Sequence, residues 1–165
     1  MATTFDEFLA TAWQDHGDHP QDVAERLASS LHVVTAPAHV PRFAQLAAHV
    51  YGEHLGAFAP GVALLQSLRA LPAYDGSASL DAALARGVAT LHFAGGDSEP
   101  LAGLARDDRI AVLAAAAAML GGRSAFARAI AAYDEALAHA RGGLAPESPA
   151  IRALDDKGLH LSLNV

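Results

Sequence analysis

Apolar positions recur three and four residues apart along most of this chain, and period-two alternation is hard to find. The pattern predicts helices throughout. Thr4-Phe-Asp-Glu7 reads as a capping box that opens a first helix ending near Gly17. Asp18 or His19, with Pro20 in the first turn, opens a second helix whose apolar face carries Val23, Leu27, Leu31 and Val34. A third runs from Pro41 to about Leu55, with Phe43, Leu46, Ala47 and Val50 on one face and Arg42, Gln45, His49 and Glu53 on another. Pro60 starts a fourth that reaches Pro72, and Asp75-Gly-Ser forms a turn. A fifth covers about Ser79 to Phe93, and a short sixth follows Ser98. Asp107 or Asp108 caps a seventh that ends at Leu120, an eighth spans Ser124 to His139, and Ser148-Pro149 begins a ninth.

Short connections between consecutive helices favour antiparallel neighbours, so the expected fold class is all-α, built from stacked helical hairpins. The segment from Ile110 to Arg141 sharpens this. Leu113, Ala116, Ala117 and Leu120 fall in its first helix; Phe126, Ala129, Tyr133 and Ala136 mark the turn and the second. In these small and large positions the segment resembles a tetratricopeptide repeat, although Arg141 stands where the family closes on proline. A looser match runs from Arg42 to Pro72 through Ala44, Ala47, Ala48 and Tyr51, then Gly61, Leu65 and Leu68. The resemblance implies an α-solenoid of about four hairpins, because a lone hairpin cannot bury both of its apolar faces. It also implies a concave groove at Arg42, Gln45, His49, Gly52 and Glu53, suited to a protein or peptide partner of unknown identity.

The 165 residues fit one domain, read as 1–154 followed by an atypical tail, 155–165. All ten arginines precede residue 153, whereas the single lysine, Lys157, and the single asparagine, Asn164, lie in the last nine residues. That switch reads as a cloning scar or altered reading frame. With the unpaired ninth helix, it also reads as a longer solenoid cut short. An apolar end left by such a cut would favour a homodimer by end-to-end stacking, and hence a structural oligomerisation module.

Charge and composition exclude several classes. A formal net charge of −7 without a basic cluster argues against nucleic acid as a partner. The longest apolar run, Ile110 to Leu120, is about half of a membrane span, and the first residues do not read as a secretory signal, so a cytoplasmic location without membrane contact is expected. Zero cysteines remove disulfides, thiolate zinc sites and cysteine nucleophiles. No nucleotide-binding loop or hydrolase elbow is found, so neither a cofactor nor a catalytic residue is assigned.

Histidine supplies the candidate chemistry. His49, Glu53 and His54 fall within one turn and a half, and His49 and Glu53 share a face. A metal-dependent or His–Glu hydrolase using that pair, joined by an aspartate from the first loop, is the alternative to a binding scaffold. At about 100° per residue, however, His49 and His54 point roughly 140° apart, which misses the four-residue spacing of helical zinc motifs. In the loop Asp15-His-Gly-Asp-His19, the residues His16, Asp18 and His19 form a second candidate metal set, with helix capping the competing explanation.

Overall fold

A computed structural model of the chain describes residues 3–142 together with 149, 152–155 and 157. The described residues are helical without a strand, so the chain is all-α. Helices α1 (Phe5–Asp15), α2 (Pro20–Ser29), α3 (His39–Ala48) and α4 (Phe58–Ser67) are followed by α5 (Ala78–Ala94), α6 (Glu99–Ala102), α7 (Arg106–Gly122) and α8 (Phe126–Arg141). A π-helical segment, His49–His54, continues α3, and single 3-10 turns occupy Leu31–Val33 and Leu68–Ala70. Of the expected ninth helix, Pro149 and residues 152–155 are helical, and the rest of it, like most of the tail, lies outside the described residues. Contacts gather the chain into two compact units, Met1–Leu91 and His92–Val165.

Local chemistry explains the boundaries. The Thr4 hydroxyl accepts from the Glu7 amide at 3.2 Å and the Glu7 carboxylate accepts from the Thr4 amide at 3.1 Å, so both halves of the capping box close as expected. Pro20 occupies the first position of α2. That helix stops at Ser29, short of the expected Val34, and the Ser29 hydroxyl donates back to the Glu25 carbonyl at 2.9 Å. Helices α3 and α4 each begin two residues before the proline expected to start them. Pro41 and Pro60 therefore sit third in their helices, where an amide has no intrahelical acceptor and its absence costs nothing. Helix α7 starts at Arg106, so Asp107 and Asp108 lie within its first turn and complement the helix dipole there without capping it.

In the first unit, Val23 and Leu27 of α2, Val40, Phe43 and Leu46 of α3, and Leu65 of α4 are fully buried and form the core. Helix α1 adds Phe5, Leu9 and Ala12. The approach of α4 to the π segment depends on Gly61, since a Cβ there would stand 2.9 Å from the Tyr51 Cβ. In the second unit, α7 and α8 pack as a hairpin over Leu113, Ala116, Ala117 and Leu120 against Ala129, Ala132, Tyr133 and Ala136. The same small residues carry the repeat resemblance, and their burial lets the two helix backbones approach. Arg128 of α8 donates to the Ala94 and Phe93 carbonyls at 3.0 and 3.1 Å, satisfying the open end of α5.

Candidate functional site

The π segment creates the most distinctive polar site among the described residues. Its widening is visible in the bond from the Leu55 amide to the Val50 carbonyl, 3.0 Å long and spanning five residues. Gly56, at φ +61°, ends it in the left-handed conformation glycine tolerates. A helix wound this way takes more residues per turn than an α-helix, so the fifth neighbour comes back toward the same face. His49 and His54 therefore face each other with their Nε2 atoms 3.2 Å apart, in contrast to the divergence expected from ordinary helical winding. Single-turn π insertions of this kind are frequent at functional sites.

His16 completes the group from the C-terminal end of α1. One ligand nitrogen from each of His16, His49 and His54 lies within 4.8 Å of the other two. The rings pack with centroid separations of 5.1 Å for His16–His49, 5.0 Å for His16–His54 and 4.8 Å for His49–His54. Trp13, the one tryptophan of the chain, backs the cluster at 5.1 Å from the His16 ring and 5.6 Å from that of His49. All three histidines are half-buried, so the rings are sheltered while the site stays within reach of solvent.

The surrounding acceptors assign protons to two of the rings. His16 Nδ1–H donates to the Trp13 carbonyl, which can only accept, so the His16 Nε2 carries the lone pair. His49 Nδ1 faces the Glu53 carboxylate at 3.5 Å, which favours a proton on Nδ1 and a lone pair on Nε2. The His49 Nε2 then accepts from His54 Nε2–H. Burial holds the His49 imidazole below its ordinary pKa, against the attraction of Glu53, and the neighbouring His54 and His16 add to the depression. Neutral imidazole is the form that binds metals.

The residues expected from sequence are distributed differently. His49 and Glu53 do meet, as helical spacing requires, but no described aspartate of the first loop joins them. Asp15 pairs with Arg26 at 2.9 Å, and Asp18 is exposed. His19 is the residue before α2 and lines an open groove with Asp15, Asp22, Glu25 and Arg26, so His16 alone of the loop set enters the cluster. Among the expected groove residues, Arg42 pairs with Asp6 at 2.9 Å and lies over the Phe5 ring, Gln45 is exposed, and Gly52 is buried. His54 is the residue that helical periodicity turned away from the site. Comparison with protein-family models, curated proteins and solved structures finds no match to this chain.

Proposed function

We propose that the protein binds one divalent ion of the later first-row transition metals, of which zinc, nickel, cobalt and copper are the class, through His16, His49 and His54. The observation that carries this reading is the convergence of three imidazole nitrogens, from two separate helices, within 4.8 Å of one another. Tetrahedral zinc with Zn–N bonds of about 2.0–2.1 Å holds its nitrogens about 3.3 Å apart. The 3.2 Å between the His49 and His54 Nε2 atoms fits that spacing as it stands. Imidazole suits these ions, whereas calcium and magnesium take oxygen ligands. Zinc chloride titrated into the whole chain by calorimetry should bind at a ratio of one to one, and His49→Ala or His54→Ala should remove the binding. Absence of uptake by the wild-type chain at micromolar zinc overturns the proposal.

The second reading is a helical-repeat scaffold that binds a protein or peptide. Burial of Ala116, Ala117, Ala129, Tyr133 and Ala136 in the α7–α8 hairpin supports it. Its groove would have to lie away from Arg42, Gly52 and Glu53, since Arg42 is engaged with Asp6 and Phe5, Gly52 is buried, and Glu53 sits beside His49. Pull-down from the source organism's extract with wild-type protein and with the His49→Ala, Glu53→Ala double variant distinguishes the two. A partner retained by the double variant supports a scaffold whose contact surface is elsewhere.

A further inference from the structure

We infer that Glu53 is the positioning residue of this metal site, holding the His49 ring so that Nε2 is presented bare to the ion while the carboxylate remains outside the ligand set. The inference rests on the metal-binding reading above. Two contacts on opposite edges of one ring point to it: His49 Nδ1 faces the Glu53 Oε2 at 3.5 Å, and His49 Nε2 faces the His54 Nε2 at 3.2 Å. Metal-ligating histidines generally give their second ring proton to a carboxylate or a carbonyl, which fixes the tautomer and raises the basicity of the ligating nitrogen. Here the two kinds of acceptor divide the work. The Trp13 carbonyl holds Nδ1–H of His16, and Glu53 faces Nδ1 of His49.

The geometry also says why Glu53 acts through His49. The same Oε2 lies 4.0 Å from the His54 Nε2, beyond hydrogen-bond reach, and the group of mutually close ligand atoms is made of the three imidazoles. At 3.5 Å the Glu53–His49 contact is longer than a closed hydrogen bond and acts electrostatically. An ion on Nε2 makes the Nδ1 proton more acidic and draws the pair together. Three neutral ligands leave the dipositive charge of the ion uncompensated, and the nearby carboxylate offsets part of it. In the metal-free protein the position between His49 and His54 holds the proton that His54 donates. That proton must leave Nε2 of His54 before the ion can bind there, and the opposite ring nitrogen of His54 can carry it.

Long-range proton–nitrogen correlation NMR on the metal-free, whole chain should show His49 protonated on Nδ1, a readout that requires no variant. Calorimetric titration with zinc chloride should then show that Glu53→Gln weakens affinity by about ten- to a hundredfold at unchanged stoichiometry. The visible spectrum of the cobalt(II)-loaded variant should keep its wild-type band positions, because the ligand set is intact. The inference is overturned by wild-type zinc affinity in Glu53→Gln, by a His49 proton on Nε2 in the metal-free chain, or by loss of an inner oxygen ligand from the zinc X-ray absorption spectrum of the variant. Failure of the wild-type chain to bind zinc would instead remove the metal-binding proposal itself, and this inference with it.

Discussion

His49 and His54 bring their Nε2 atoms to 3.2 Å although five positions separate them in the chain. Only the π winding of His49–His54 makes this contact. A π turn gives up some of the favourable bonding of an α-helix, and it persists where neighbouring contacts hold it. Two such contacts are present. The Tyr51 hydroxyl donates to the Ala24 carbonyl of α2 at 3.0 Å, and Gly61 lets α4 press against the other side of the same tyrosine. The widened segment is thus pinned between α2 and α4, with its two histidines turned toward the end of α1.

Zinc should raise the thermal stability of the wild-type protein. A ligand that binds only the folded chain at a hundred times its dissociation constant stabilises it by about 2.7 kcal/mol. Differential scanning calorimetry should show a rise in Tm of several degrees for wild type. The rise should be absent for His54→Ala, while the metal-free variant folds with near-normal stability because His54 is partly exposed. A zinc-induced shift of equal size in the variant would show that the ion binds elsewhere.

How far the sequence reveals this structure depends on the element. The Thr4-to-Glu7 capping box and the first-turn position of Pro20 were legible because each is a local rule satisfied within a few residues. All-α class followed from the spacing of Val23, Leu27, Phe43, Leu46, Val50 and their like, most of which are buried. The His49–Glu53 pair was legible because its spacing of four survives into the π segment. The partnership with His54 was not, because a periodicity argument assumes one winding angle and the π turn changes it. Nor was the choice of His16 over His19, since that depends on where the end of α1 meets the π segment in space.

Stability should fall as the pH drops below about 6.5, the ordinary value for histidine. The depressed His49 pKa gives the sign. Above 6.5 the ring is neutral in both folded and unfolded chains, and the full stability is present. Below it the unfolded chain takes up a proton that the folded chain resists, so folding is progressively disfavoured until the pH falls through the folded value. Urea denaturation from pH 7.5 down to 5 should show this loss, and His49→Gln should flatten the part due to this ring. Zinc affinity should fall only at lower pH, as the pH passes through the depressed folded value of His49 and the proton competes with the ion for its ring nitrogen.

Two glycines should respond differently to a methyl group. A Cβ at Gly61 would lie 2.9 Å from the Tyr51 Cβ, an atom fixed to the backbone, and 3.1 Å from the Leu91 Cδ1. Relief requires separating α4 from the π segment, so Gly61→Ala should cost about 1–3 kcal/mol. At Gly87 the close atom, at 2.7 Å, is the Leu65 Cδ2, the far end of a side chain that can change rotamer. Part of that strain is offset by about 1 kcal/mol of helix propensity gained in exchanging glycine for alanine within α5. Chemical denaturation should therefore rank Gly61→Ala as clearly the more damaging. It should also weaken zinc binding, since it disturbs the carrier of His49 and His54, whereas Gly87→Ala should leave zinc affinity unchanged.

Ser124→Gly should stabilise the protein, by about 1 kcal/mol. Ser124 has φ +63°, alone among the described non-glycine residues in being left-handed. It ends α7 in a Schellman arrangement, with its own amide donating to the Gly121 carbonyl at 3.0 Å and the Ala125 amide donating to the Leu120 carbonyl at 2.8 Å. An L residue in that conformation costs roughly 1–2 kcal/mol, a penalty glycine avoids, though glycine loses more chain entropy on folding. The balance favours the substitution because Ser124 is exposed and gives up no core packing. Thermal and urea unfolding should both register the gain, while Ser124→Ala, which keeps the Cβ, should not. A destabilising Ser124→Gly would mean that the serine hydroxyl, more than the backbone, holds the α7–α8 turn.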